Sequence, residues 1–280
     1  MAKYLTDELE LQSVANAIRA KGGTSESLAF PSGFVSAIEG IETGGGGDTS
    51  VEDGIITKTI SGSYYNSRVT KIEDYAFNNC IKLTTVNFPA CTNIDAYAFS
   101  NCTKLTTVSF PVCSLIANSA FCSCTGLTIA SFPACSLIAS YAFNNCAKLT
   151  TASFPICKYI LNYAFAYCSS LTTANFPACI NISPYAFIQC YSLTTVSFPV
   201  CMSISNNAFQ KCRNLLSVYL MGSSIPSLSG SGAFSSTPIA GYTEYTGGVY
   251  GSIYVPASML ESYKTATNWS YFSDRFVGVE

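Results

Sequence analysis

The chain has 280 residues, 49% of them hydrophobic, and a formal net charge of -2 from 14 basic and 16 acidic side chains. Charged residues make up only 11% and form no basic stripe, so the phosphate-neutralising surface that nucleic-acid binding needs is missing. There is no histidine, which removes Ser-His-Asp and Cys-His catalytic constellations. No run approaches the roughly 18 apolar residues of a membrane span.

In chain order, residues 1–43 read as a separate helical module. The start has no apolar stretch of signal-peptide length, which points to a cytoplasmic protein or one released by lysis; a chain trimmed of its signal would look the same. Thr6 is a helix cap followed by Asp7, Glu8 and Glu10, the acids favoured in a first turn. Leu11, Val14, Ala15 and Ile18 then form one apolar stripe, and Gly22-Gly23 stops it. A second short helix is expected from Ser32, with Phe34, Ile38 and Ile41 inward. Two short helices bury little alone. The module is therefore expected to anchor or oligomerise the protein through Leu11, Val14, Ile18, Phe34 and Ile38, on its own copies, a partner or the end of the next domain. Residues 44–50 are a Gly-rich linker; Gly44 to Gly47 lack the Lys-Ser/Thr of a phosphate loop.

Residues 51–68 turn β-like, with a strand expected over 54–60 and a turn at Ser61-Gly62-Ser63, and read as an N-terminal cap on an array that runs to residue 221. The array repeats every 22 residues as L-T-T-V-x-F-P-x-C-x-x-I-x-x-Y-A-F-x-x-C-x-x. A period of this size means a solenoid, an α+β stack of strand-and-turn units that cover one another's cores. Leu83, Val86 and Phe88 are predicted inward, and Pro89 ends the strand because it cannot continue the ladder. Ile94 starts the return side, where Ala98 and Phe99 fill the core. A single unit cannot offset its own ordering, which is why such units come in arrays.

The 14 cysteines resolve by position: one row follows Ala-Phe (Cys80 to Cys212), one follows Phe-Pro (Cys91 to Cys201), and Cys122 is left over. Spacings of 11 and 22 suit buried apolar rows rather than zinc ligands two to four residues apart, so no metal is expected. Like positions point in parallel, a poor geometry for disulfides, and free buried thiols are expected. Thr85, Thr107, Thr151, Thr173 and Thr195 form an outward row that Ile129 interrupts, read as β-propensity rather than an ice-binding face. Tyr75, Tyr97, Tyr141, Tyr163 and Tyr185 share one repeat position and are expected to be structural and half-buried. Tyr159, Tyr167 and Tyr191 break the consensus. With Lys158 they are the candidate contact patch, since aromatics with a polar handle favour interfaces. Residues 222–280 hold a degenerate repeat around Gly232-Ala233-Phe234 and a β/α cap, with a strand over 253–256 and a helix over 257–265.

The L-x-x-V-x-F-P and I-x-x-x-A-F-x-x-C segments, repeated over residues 69–221, resemble the BspA-like family of bacterial leucine-rich repeats. The unit departs from that family in its slightly short 22 residues and in the cysteine after the proline. Residues 253–264, with Asn268-Trp269-Ser270, resemble the family's usual C-terminal cap. Residues 11–21 and 30–38 resemble an N-terminal module of virion proteins from Firmicutes phages and prophages. Together these resemblances imply a non-enzymatic phage structural protein, a fibre displaying a leucine-rich solenoid. Its partners would be other virion proteins or itself through the head, and a host-surface protein or glycan through the array. The alternative is a bacterial cell-surface adhesin. No cofactor is implied, and no catalytic residue is carried over.

Overall fold

The computed structural model describes residues 60–280. The expected head, linker and first strand, residues 1–59, lie outside them. From residue 60 the chain coils as a solenoid of parallel strands with few helices. Each coil puts two strands on two different sides. The short ones are β2 (Lys71–Ile72), β4 (Asn93–Ile94), β6 (Leu115–Ile116), β8 (Leu137–Ile138), β10 (Tyr159–Ile160), β12 (Asn181–Ile182), β14 (Ser203–Ile204) and β16 (Ser227–Leu228), and they form one eight-stranded parallel sheet. The others are β1 (Ser61–Tyr65), β3 (Lys82–Asn87), β5 (Thr107–Ser109), β7 (Ile129–Ser131), β9 (Thr151–Ser153), β11 (Thr173–Asn175), β13 (Thr195–Ser197), β15 (Ser217–Tyr219), β17 (Ser252–Pro256) and β18 (Phe276–Val279). Like positions pair across coils, as Tyr159 does with Asn181 and Ile160 with Ile182.

The period places each repeated side chain in a column. Leu83, Phe88, Ile94 and Phe99 and their counterparts are buried. The phenylalanines of the Ala-Phe pairs stack face to face, from 4.8 Å between Phe77 and Phe99 to 5.5 Å between Phe209 and Phe234. A second column runs from Phe88 to Phe176 and meets the first edge-on, as at Phe77–Phe88 (5.7 Å). Such ring pairs add about 0.5–1.5 kcal/mol each to what burial contributes.

The outer strands do not form one sheet. β1, β3 and β5 form one and β7 to β18 another, and β11 meets β13 only at Asn175 and Ser197. Both interruptions fall where the inward residue of the strand changes volume. Val86 and Val108 come before the first, Ala130, Ala152 and Ala174 lie between, and Val196 and Val218 follow the second. Equal neighbours pair in register throughout, as in β7–β9, β9–β11 and β13–β15. At both interruptions a valine coil meets an alanine coil, and the valine coil is the wider of the two. Val108 and Ala174, at the two edges, are partly exposed where their equivalents are buried.

Ser61-Gly62-Ser63 is not a turn. It opens β1, which runs parallel to β3 with a register shift between Gly62 and Ser63. Gly62 takes the positive φ (79°) at that irregularity, and Tyr64 then points inward between Phe77 (5.4 Å) and Phe88 (5.5 Å). At the other end β17 pairs with β15, and β18 with β17. The six-residue helix α1 (Leu260–Thr265) and a 3-10 segment over Trp269–Arg275 connect β17 to β18. Trp269 is buried near Phe234 and donates Nε1–H to the Pro226 carbonyl at 2.7 Å, while Asn268 donates to the Leu228 carbonyl at 2.7 Å.

Candidate binding surface

A third side of each coil carries no strand. It is a tight turn around Ala-Phe, framed by two residues four apart with φ between 56° and 63°: Tyr75 and Asn79, Tyr97 and Asn101, Ser119 and Ser123, Tyr141 and Asn145, Tyr163 and Tyr167, Tyr185 and Gln189, Asn207 and Lys211. None of these is β-branched, as left-handed backbone requires. The turns are tied to one another by N–H bonds from coil to coil, such as Tyr97 to the Asn118 carbonyl (3.0 Å), Phe99 to Ala120 (2.7 Å) and Asn101 to Cys122 (2.8 Å).

This backbone turns the tyrosines outward. Tyr75, Tyr97 and Tyr141 are exposed and Tyr163 and Tyr185 are partly so, which corrects the half-buried reading for the first three. They stack as a surface ladder: Tyr75 on Tyr97 at 4.9 Å and 2°, Tyr141 on Tyr163 at 4.9 Å and 5°, and Tyr163 on Tyr185 at 4.7 Å and 9°. The Tyr163 hydroxyl is held above its ordinary pKa by partial desolvation and by the neighbouring Tyr185, Tyr141 and Tyr167. Tyr167 therefore belongs to this side, at a positive φ of its own and 40% exposed.

The other candidate residues lie elsewhere. Tyr159 is exposed on β10, next to exposed Lys158. Tyr191 donates its hydroxyl to Gln189 Oε1 (2.5 Å) and lies under the Arg213 guanidinium (5.0 Å to the ring centre). Arg213 also covers Tyr245 (4.6 Å) and donates to its hydroxyl at 2.9 Å. No ring contact or hydrogen bond joins Tyr159, Tyr167 and Tyr191 among the described residues. Leu11, Val14, Ile18, Phe34 and Ile38 lie outside the described residues. What sequence reasoning missed is the tyrosine ladder as a surface, although its 22-residue recurrence was in view.

The cysteines are free, and all but Cys122 are buried. The row after Ala-Phe donates S–H to phenylalanine carbonyls of the preceding coil, for example Cys102 to Phe77 at 3.0 Å and Cys124 to Phe99 at 3.1 Å. The row after Phe-Pro donates two residues on, as Cys113 does to the Leu115 carbonyl at 3.2 Å. Among the described residues no group of three or more His, Cys, Asp or Glu could hold a metal, and no helix is long and apolar enough to cross a membrane. The threonine row is not one flat face, since it is crossed by exposed Ile129 and by the gap between β5 and β7. The described residues also line shallow clefts of about 440 Å³. One lies between β11 and β13, over Thr173 and Thr195. Another lies beside the C-terminal 3-10 segment, between Ser235, Tyr271 and Asp274.

A family model described as the BspA type leucine-rich repeat region matches residues 57–156 and 136–244. No curated protein matches the chain. Similar solved structures include a leucine-rich repeat protein from Bacteroides ovatus, with a TM-score of 0.51 and 19% identity over 74% of this chain and 58% of that one. Others are a leucine-rich repeat protein from T. pallidum (TM-score 0.43, 23% identity, 61% of this chain and 74% of that one) and a leucine-rich cell surface protein from Faecalibacterium prausnitzii (0.43, 17%, 79% and 80%). The chain thus spans 58% of the length of the Bacteroides ovatus protein. At these identities the likeness is one of fold.

Proposed function

We infer the function from one premise: the chain belongs to the BspA type leucine-rich repeat family. It acts as a non-enzymatic adhesion protein of the bacterial cell surface, holding a host-surface protein or glycan against the tyrosine side of its solenoid. The observation that carries this reading is the stacked ladder of exposed Tyr141 and partly exposed Tyr163 and Tyr185 on a hydrogen-bonded, nearly uncharged scaffold. Aromatic rings with a hydroxyl handle give large contact area at little cost in side-chain entropy. A flat row of them on hydrogen-bonded turns is already ordered before a partner arrives. The reading of a virion display protein rests on residues 11–38, outside the described residues, and takes second place. Self-association through residues 1–43 is part of the same proposal.

The test is binding of the full-length chain to fixed epithelial cells, set against a variant with Tyr141, Tyr163 and Tyr185 all replaced by serine. Serine occupies the same turn position at Ser119 with φ 56°, so the variant keeps the fold. Binding is expected to weaken about tenfold or more, the loss of a small aromatic hot spot. Undiminished binding rules out the tyrosine side as the contact surface.

A further inference from the structure

The seam between β11 and β13 is open at one end. Elsewhere the residue before each outer strand ties its coil to the preceding one. Thr150 N–H donates to the Thr128 carbonyl (2.8 Å), Thr172 N–H to Thr150 (3.0 Å) and Leu216 N–H to Thr194 (2.8 Å). The next residue joins in, as Thr173 N–H does to Thr150 (3.0 Å) and Ser217 N–H to Thr194 (3.0 Å). Threonine hydroxyls repeat the pattern, from Thr150 to Thr128 (3.0 Å) and from Thr172 to Thr150 (3.1 Å). Among the described residues nothing donates to the Thr172 carbonyl: not the Thr194 N–H, not its hydroxyl and not the Thr195 N–H. We propose that this opening is a binding site for the acetamido group of a neutral N-acetylated sugar. It lies on a different side of the coil from the tyrosine ladder and does not depend on that ladder being a contact surface.

The opening coincides with a cleft of about 440 Å³ whose lining includes Thr172, Thr195, Ala174, Pro177 and Pro199. Ala174, the inward residue of β11, is partly exposed, although Ala130 and Ala152 at the same repeat position are buried. Thr172, Thr194 and Thr195 are exposed, so a ligand reaches the opening from solvent. The strands are splayed and not parted, since Asn175 and Ser197 still pair.

The unmet groups set the ligand class. An acceptor stands on the β11 side and donors on the β13 side, and their counterparts bond one another across the other seams. A secondary amide carries the matching pair: its N–H donates to the Thr172 carbonyl and its C=O accepts from Thr194 or Thr195. In a trans amide the two groups point in opposite directions, as bridging two facing strands requires. The amide thus stands in for the bond that the strands do not make. The acetamido methyl group finds its apolar surface in Ala174, Pro177 and Pro199, which a primary amide would leave uncovered. An extended peptide would need the strands parted along their length, and the Asn175–Ser197 pair prevents that. No charged side chain lines the cleft, which favours a neutral sugar.

The experiment titrates the full-length protein with N-acetylglucosamine, N-acetylgalactosamine and diacetylchitobiose, following backbone amides by NMR. Cellobiose, which carries hydroxyls in place of the acetamido groups, is the control. At least one acetamido sugar is expected to shift the Thr194 and Thr195 amide signals, and cellobiose to leave them in place. Ala174→Val matches the volumes of the two coils and closes the seam, and is expected to weaken binding about tenfold. Should the Thr194 amide show that the seam stays open in that variant, Asn175→Tyr is the second test. It crowds the cleft lining at the repeat position that Tyr219 occupies two coils on, and is expected to weaken binding severalfold.

Acetamido sugars that leave both amides unmoved overturn the proposal, as does binding indifferent to both substitutions. Equal shifts from cellobiose would mean that the acetamido group is not what is recognised. If N-acetylalanine N-methylamide shifts these amides and no sugar does, the opening takes a peptide bond and the sugar assignment is wrong. Sugar binding that is lost when Tyr141, Tyr163 and Tyr185 are replaced by serine would belong to the tyrosine side, and the seam would be excluded.

Discussion

A residue at positive φ other than glycine costs its backbone about 1–2 kcal/mol, and each tight turn holds two of them. The cost is offset by the N–H bonds these residues make to the next coil, such as Tyr75 to Ala96 (3.0 Å) and Asn79 to Ser100 (2.8 Å). That conformation is also why the tyrosines are exposed, and no periodicity of residue type reports it. Arg213 shows the opposite case. It lies 22 residues after Tyr191, so the stacking of the two was readable from the period, whereas Tyr245 comes from the irregular cap and was not. Arg213 Nε is buried without a hydrogen-bond partner, so the guanidinium is held by its ring contacts and by the bond to the Tyr245 hydroxyl. Arg213→Ala is expected to cost about 1–2 kcal/mol, a fall of about 2–4 °C in Tm. Arg213→Lys should fall between it and the parent, since an ammonium lacks the planar fork. Calorimetric melts of the three proteins check this, and equal Tm values would mean that the sandwich contributes nothing.

At the scale of the strand, the fold was legible because one period governs every coil: leucine, phenylalanine and isoleucine fall into columns wherever the unit recurs. The two interruptions of the outer sheet were harder to see. Valine and alanine both read as inward apolar residues, and only the comparison of volumes between successive coils separates them. If volume sets the break, changing one residue should move it. Thr172 N–H bonds the Thr150 carbonyl at 3.0 Å, and Leu216 N–H bonds Thr194 at 2.8 Å, but Thr194 makes no such bond to Thr172. Ala174→Val makes the β11 coil match the β13 coil and leaves the mismatch between β9 and β11. Hydrogen exchange should then show about tenfold slower exchange at the Thr194 amide, the mark of a newly closed backbone bond, and faster exchange at Thr172. The added methyl groups enter a partly exposed position, so any cost stays within the usual overpacking range of about 1–3 kcal/mol. An unaltered Thr194 amide would mean that something other than volume opens the strands.

For the whole molecule, the two cysteine columns tie stability to pH. Burial pushes the Cys91 and Cys201 thiols up to about 11 and those of Cys135, Cys157 and Cys168 to about 12, from an ordinary value of 9.0. Cys113, Cys146 and Cys179 move the same way for the same reason. Below pH 9 both the folded and the unfolded chain keep these protons, and the stabilisation is fully present. Above it the unfolded chain releases them while the folded one holds them until its own raised values, so stability falls as pH climbs from 9 towards 12. Each thiol contributes about 1.4 kcal/mol per pH unit within that window. The contributions add along the array, because each coil relies on its neighbours for its core. In reductant, Tm is therefore expected to change little from pH 7 to 8.5 and to drop steeply by pH 10, before tyrosine and lysine ionisation takes over. Replacing Cys113, Cys135 and Cys157 together by alanine should make that drop shallower even while it lowers Tm at pH 7. A Tm that stayed flat to pH 10 would require thiols inside the solenoid to ionise as readily as in the unfolded chain, and their burial between successive coils opposes that.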